Sequence, residues 1–373
     1  MQLLQLFSFP APRLRPLLFA ATALAMIAPG LEAQGPCTGP ARTFDFWIGE
    51  WDVLNRNRPE GDPRWYDTGT ATDRVYPVAA GCGIVEHWRG HAYGEFLLGF
   101  SLRAFDPGTS QWTLALLWPT GGEPRWGELR GGFRHNRGEF FSHTLNAEGD
   151  TVVNRFTFSD ITSNSLRWQE ATSTDNGRSW SSNWIMEFSR RELLYQGPVL
   201  NGPTATALRC PGEEHRALDF LLGEWRGVSP ESATPEDGEE VRARAYRILE
   251  GCAVMERVQA MGRESAWEVF RARAYEPARD KWVEYRVDTR RPRLQRLEAD
   301  VPGQGEPWVF QTPLEAGESP EDGDLRVTLT RTGEGGLSWA EERYDGEASQ
   351  WRLQPGVRYL EHLGAPAPGP VGR

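Results

Sequence analysis

The chain reads as all-β, built as two antiparallel barrels in tandem, each with a short helix before its first strand. Three observations predict this. Short runs of alternating apolar and polar residues recur, among them "TATDRVYPV", "FLLGFSLRAF", "WTLALLW", "VVNRFTFS" and "SSNWIMEFS". Turn clusters such as "DPGTSQ", "NAEGD" and "STDNGR" separate them at close spacing, the punctuation of a sandwich or barrel. The chain also repeats itself: "FDFWIGEWDV" at 44–53 returns as "LDFLLGEWRG" at 218–227.

The N-terminus has the order of a secretory signal. Arg13 and Arg15 precede the apolar run Leu17–Ala28, Pro29 and Gly30 break it, and a cut is expected after Ala33. The run is too short to span a bilayer, which takes roughly 20 residues. No later stretch is apolar enough for a membrane helix, so an exported, periplasmic or extracellular protein without a membrane span is expected. Net charge is −11. An acidic chain repels phosphate backbones, which argues against nucleic acid as a partner.

The repeat extends well beyond the decapeptide. Cys82 to Pro119 aligns with Cys252 to Thr289 at an offset of 170, without gaps. From Arg155 the offset is 171, which matches Arg155 with Arg326, Glu170 with Glu341 and Trp180 with Trp351. Two copies are too few for a solenoid, so each copy should be a domain. The expected organisation is a signal peptide at 1–33, a first barrel at 37–192, a linker at 193–209, a second barrel at 210–364 and a disordered tail at 365–373. About 155 residues suffice for a barrel of eight to ten strands enclosing a small cavity. Only "ARTFDFW" and "EEHRALDFLL" look briefly helical, just before each Gly-x-Trp.

The pattern Phe-x-x-Gly-x-Trp, at Phe46, Gly49, Trp51 and again at Phe220, Gly223, Trp225, resembles the start of lipocalin-like, or calycin-type, barrels. More closely, each copy is similar to a family of uncharacterised bacterial secreted domains. The further motifs are Gly81-Cys82 followed by Glu86, and a late "STDNGRSW" from Ser173. The resemblance implies that the first-strand Trp plugs one end of the barrel and that the Gly lets the chain turn tightly into the strand. It is nearly silent on chemistry. It leaves heme open, because some related barrels of the nitrobindin type carry a late His ligand; His362 stands late in copy two, aligned with Arg191 of copy one.

The four cysteines occupy matching places in the two copies. Export permits oxidation, and four cysteines allow three pairings. The duplication favours Cys37–Cys82 and Cys210–Cys252. Each bond would close a loop of about 45 residues, worth roughly 4 kcal/mol on the chain-entropy model. No C-x-x-C supports redox chemistry.

Several polar residues recur at matched sites: Glu86 with Glu256, Arg103 with Arg273, and Glu170 with Glu341. An ionisable group on an apolar strand face is either paired inside the barrel or part of a site. One strand separates the copies. Trp112, Leu114, Leu116 and Trp118 share a face in copy one, where copy two has Trp282, Glu284, Arg286 and Asp288. Pointing inward, these sets make one apolar and one charged barrel. Pointing outward, the first makes a sticky patch for the other barrel or another subunit. His87 and His91 could face one side, but no third metal ligand accompanies them, and no metal or other cofactor is expected. The sixteen tryptophans are either barrel-closing core or the lining of an aromatic cavity.

Three functions follow. The first is non-catalytic binding of a small apolar or amphipathic molecule in copy one, lined by Trp51, Trp88, Trp112, Leu114, Leu116 and Trp118, with Glu86 and Arg103 as polar anchors. Trp225, Glu256, Arg273 and Trp282 are the second-copy equivalents. The second is a structural or interaction module with side-chain-filled barrels, its two repeats packed together or self-associating. The third is a barrel enzyme using Glu86 and Glu170 as acid and base; no nucleophile elbow, phosphate loop or zinc motif supports it.

Overall fold

The computed structural model describes residues 37–120, 123–146, 148–191, 210, 212–229, 239–260, 266–314, 319–321, 323–332 and 335–364. The expected leader, linker and tail lie outside them.

The first ten strands are β1 (Gly49–Asn57), β2 (Tyr66–Val78), β3 (Gly83–Ala92), β4 (Glu95–Asp106), β5 (Gln111–Thr120), β6 (Glu123–Arg134), β7 (Arg137–Leu145), β8 (Thr151–Ser159), β9 (Ser165–Ser173) and β10 (Ser181–Arg190). Each pairs antiparallel with its sequence neighbour, and β1 closes the ring on β10. The next ten repeat that order: β11 (Gly223–Ser229), β12 (Glu239–Ile248), β13 (Ala253–Ala260), β14 (Glu268–Glu276), β15 (Lys281–Asp288), β16 (Arg291–Ala299), β17 (Trp308–Gln311), β18 (Leu325–Arg331), β19 (Leu337–Asp345) and β20 (Gln350–Gly364). They close between β11 and β20. The protein is thus all-β, two closed up-and-down barrels in tandem. Short 3-10 turns at Gly39–Arg42 and Asp45–Trp47 precede the first barrel, and turns at Glu213–Arg216 and Asp219–Leu221 precede the second.

The repeated decapeptide closes one end of each barrel. Trp51 Nε1 donates to Trp47 O at 2.8 Å, and Trp225 Nε1 donates to Leu221 O at 2.8 Å. Each indole thereby locks the incoming turn onto the strand. Gly49 and Gly223 have φ of +140° and +123°, and a Cβ at either would strike the side chain facing it, Arg190 or His362. Only glycine fits that path. Arg190 stacks over Trp51 at 4.2 Å, and His362 lies 4.5 Å from the Trp225 ring.

The register corrects one sequence alignment. Trp51 pairs with Arg190 and Trp225 pairs with His362, so the counterpart of His362 is Arg190 rather than Arg191. An irregularity between Arg226 and Gly227 in the β11–β20 pairing, absent from β1–β10, adds one residue to β20, so straight counting does not follow it.

Both disulfides, Cys37–Cys82 and Cys210–Cys252, are formed. They tie each entry turn to the start of the third strand of its barrel. Around them the barrels share a core. Phe96, Leu98, Phe100 and Leu102 on the outer face of β4 pack in one cluster with Phe270 and Ala272 of β14 and Val283, Tyr285 and Val287 of β15. This explains why β4 and β14 read as nearly unbroken buried runs: one face fills a barrel and the other meets its neighbour. Buried carboxylates tie the backbones together as well. Glu268 accepts from Ala79 N at 2.7 Å, and Glu276 accepts from Trp126 N at 2.7 Å.

Candidate functional site

The strand face carrying Trp112, Leu114, Leu116 and Trp118 points into the first barrel; the opposite face, with Ala115 and Leu117, meets the second. The inward alternation continues round the ring. β3 contributes Ile84, Glu86 and Trp88, and β10 contributes Trp184, Met186 and Phe188.

Above a filled floor begins a cavity that runs out into the groove beside the second barrel, about 820 Å³ in all, against a usual span for small-molecule sites of roughly 300–1,000 Å³. The floor is aromatic. Phe44 packs edge-on against Trp112 at 4.9 Å, and Trp112 Nε1 donates to Thr43 Oγ1 at 2.8 Å. Trp51, Trp112 and Leu114 belong to this floor and do not line the cavity. Glu86, Trp88, Arg103, Leu116, Trp118 and Glu170 do line it.

Where floor meets cavity, the recurring polar pair is engaged. Glu86 Oε2 accepts from Arg103 Nη2 at 2.8 Å and from Ser101 Oγ at 2.6 Å. The Arg103 guanidinium lies 3.8 Å over the Trp47 ring. Burial lowers the Arg103 pKa to about 10 against the opposing pull of Glu86. Asp73, on the neighbouring strand, is also fully buried. Burial first, and repulsion from Glu86 second, push its carboxyl well above the ordinary range.

The wall of the cavity is formed by four tryptophans. Trp184 lies 5.2 Å from Trp168, 5.5 Å from Trp118 and 6.2 Å from Trp88. Tyr93 extends the wall at 5.4 Å from Trp184, and Phe156 lies 4.7 Å from Trp168. Trp184 Nε1 donates to Asn55 Oδ1 at 3.0 Å, and Asn55 Nδ2 donates to His91 O at 2.8 Å, which fixes the central ring. Gly99 makes room for another: the Trp118 ring occupies the place its Cβ would take.

Glu170 sits within this wall, paired directly across the sheet with Phe156 on one side and Trp184 on the other. Burial raises its carboxyl pKa. Among the described residues its carboxylate has no hydrogen bond or ion pair with another side chain. The sequence reading reached Glu170 through its recurrence but missed Trp168, Trp184 and Phe156. The alternations in "SLRWQEATS" and "SSNWIMEFS" carried that signal.

The cavity opens through a seam. The β6–β7 ladder pairs only Arg130–Arg134 with Arg137–Phe141. Beyond it, Gly127 and Glu128 line one bank and Ser142, His143 and Thr144 the other. Arg125 and, from the second barrel, Arg296 also contribute to the lining.

The second barrel fills the same interior with ion pairs. Glu256 Oε2 accepts from Arg271 at 2.8 Å and from Arg273 at 2.9 Å, and Arg273 bridges on to Glu284 at 2.6 Å. Arg286 reaches Glu341 at 3.0 Å and Asp288 at 3.3 Å, and Arg343 meets Glu341 at 2.9 Å. Burial would raise the Glu256 and Glu341 carboxyls, but the arginines around each hold them below the ordinary value. Trp282 is buried in the core of this barrel, as Trp225 is at its closed end.

The histidines lie elsewhere. His87 stacks on Tyr76 and exchanges a 3.0 Å hydrogen bond with its hydroxyl; burial lowers its pKa to about 4 and keeps it neutral. His362 is exposed on β20, 3.2 Å from Leu222 O. "STDNGRSW" is a hairpin device: Asp175 accepts from Ser173 Oγ and Ser179 N at 2.7 and 2.8 Å, and Trp180 Nε1 donates to Gly177 O at 3.1 Å.

No family model matches the chain, and no curated protein matches it. Among solved structures, an S-type phycobiliprotein lyase from Guillardia theta is similar at 12% identity and a TM-score of 0.29, covering 42% of this chain and 94% of its own. A protein of unknown function from Nostoc punctiforme is similar at 12% identity and a TM-score of 0.23, covering 87% of this chain and 99% of its own.

Proposed function

We propose that the chain is an exported protein that binds a small, partly apolar molecule in its first barrel, without catalysis, and that the second barrel is a filled brace. In this proposal residues 1–33 are a removed signal peptide, and 37–192 and 210–364 are duplicated calycin-type units. The observation that carries the proposal is the contrast between two like barrels. Where the second packs arginines and carboxylates, the first leaves an open cavity walled by tryptophan. The reading of a side-chain-filled interaction module suits the second barrel on the same ground.

An acid–base role for Glu86 and Glu170 draws on the raised Glu170 carboxyl. It is the weaker reading, because Glu86 is held by Arg103 and Ser101.

Native mass spectrometry of gently purified mature protein, before and after organic extraction, tests the proposal. An extra mass that extraction removes is expected. Bare protein from its native host, with no change in tryptophan fluorescence across a panel of small amphiphiles, would count against a binding barrel.

A further inference from the structure

We infer that the ligand of the first barrel carries a positive charge, an organic ammonium held against the tryptophan wall with Glu170 as its counter-ion. The inference rests on the binding reading above and names the ligand class.

The argument comes from what each barrel does with one ninth-strand site. Trp339 and Glu341 of β19 match Trp168 and Glu170 of β9. In the second barrel that site is occupied by cations of the chain itself. The Arg271 guanidinium lies 3.8 Å over the Trp339 ring and that of Arg286 lies 5.8 Å from it. Glu341 is paired with Arg286 and Arg343 at 3.0 and 2.9 Å. In the first barrel the residues matching Arg271, Arg286 and Arg343 are Ser101, Leu116 and Thr172. The tryptophan and the glutamate are kept, and all three guanidiniums are replaced by uncharged side chains.

What remains is an indole wall beside a carboxylate that only burial perturbs. Aromatic faces attract cations, and most strongly where water is excluded. A carboxylate among them supplies the opposite charge. Within the tryptophan wall an anionic ligand would place its charge beside Glu170, and a neutral one would leave this half-buried carboxylate without a partner, which costs free energy. Arg125 and Arg296 contribute to the lining near the seam, but neither is ion-paired with Glu170.

Tryptophan-fluorescence titration of the intact, extracted protein with octyltrimethylammonium, octanol and octanoate tests this. The ammonium is expected to bind about tenfold or more tightly than octanol, and octanoate is expected not to bind. Glu170→Gln should weaken the ammonium about tenfold while leaving octanol unchanged. Leu116→Arg, which imports the arginine of the second barrel, should abolish ammonium binding while the thermal unfolding midpoint stays within a few degrees. Equal or better binding of octanol or octanoate overturns the cation and leaves a binding barrel standing. No binding of any of the three also overturns it, and extraction with mass spectrometry then judges the binding barrel separately.

Discussion

Trp118 lies across Gly99 of the neighbouring strand, one step beyond the ladder pair Phe100–Leu117, with the indole where a Cβ would otherwise stand. That contact sets the width of the cavity. Gly99→Ala should push the ring inward against Trp88 and Trp184. Overpacking of this kind costs about 1–3 kcal/mol, and ligand affinity should fall at least tenfold. Thermal unfolding and a fluorescence titration read both. A variant with unchanged affinity would place the ligand elsewhere.

Asp73 gives a pH signature. Burial, reinforced by Glu86 and opposed by Arg103, raises its carboxyl pKa in the folded state. A raised carboxyl holds its proton more tightly folded than unfolded. Its contribution is therefore fully present below about pH 4 and is lost as pH rises through the folded value. Asp73→Asn removes that loss. Relative to the wild type, the variant should gain stability as pH rises from about 4 to about 8, read from melting curves. Parallel curves would show that Asp73 does not titrate with folding.

Arg286 is fully buried and serves both Asp288 and Glu341. Arg286→Leu leaves Asp288 to Arg290 and Glu341 to Arg343, and losing two buried charge-assisted contacts should destabilise the protein by about 1.5–3 kcal/mol. Urea unfolding measures it. A loss under 1 kcal/mol would mean that the ion pairs of the second barrel contribute little beyond volume.

Glu268 joins the barrels through the Ala79 N–H while also holding Arg257 at 2.8 Å. Glu268→Ala strands a buried donor, at a cost of about 1–3 kcal/mol. Scanning calorimetry should then resolve two transitions where the parent shows one. A single, unmoved transition would show that the shared apolar core alone couples the barrels.

The decapeptide, the strand alternation and the cysteine pairs were legible in sequence because each rests on local geometry: a glycine at positive φ, a two-residue period, a loop closed within one copy. The direction of the β5 face was not. Strands β3 to β5 are buried on both sides, inward against the barrel and outward against its neighbour, so alternation carries little contrast there. The aromatic wall was missed for another reason. Trp168, Trp184 and Phe156 stand on three neighbouring strands, and alternation within each strand gives a face without saying which rings meet across strands. A register irregularity between Arg226 and Gly227 put Arg191 in the place of Arg190.

The incomplete ladder between β6 and β7 separates two properties that a closed barrel usually binds together. The strands that hold the ring are one set, and the edges beside the cavity are another, already unzipped from Gly127 and Ser142 outward. A guest that leaves by that gap breaks no backbone hydrogen bond on its way. Its residence time is then set by side chains at the gap, independently of how long the barrel itself holds together.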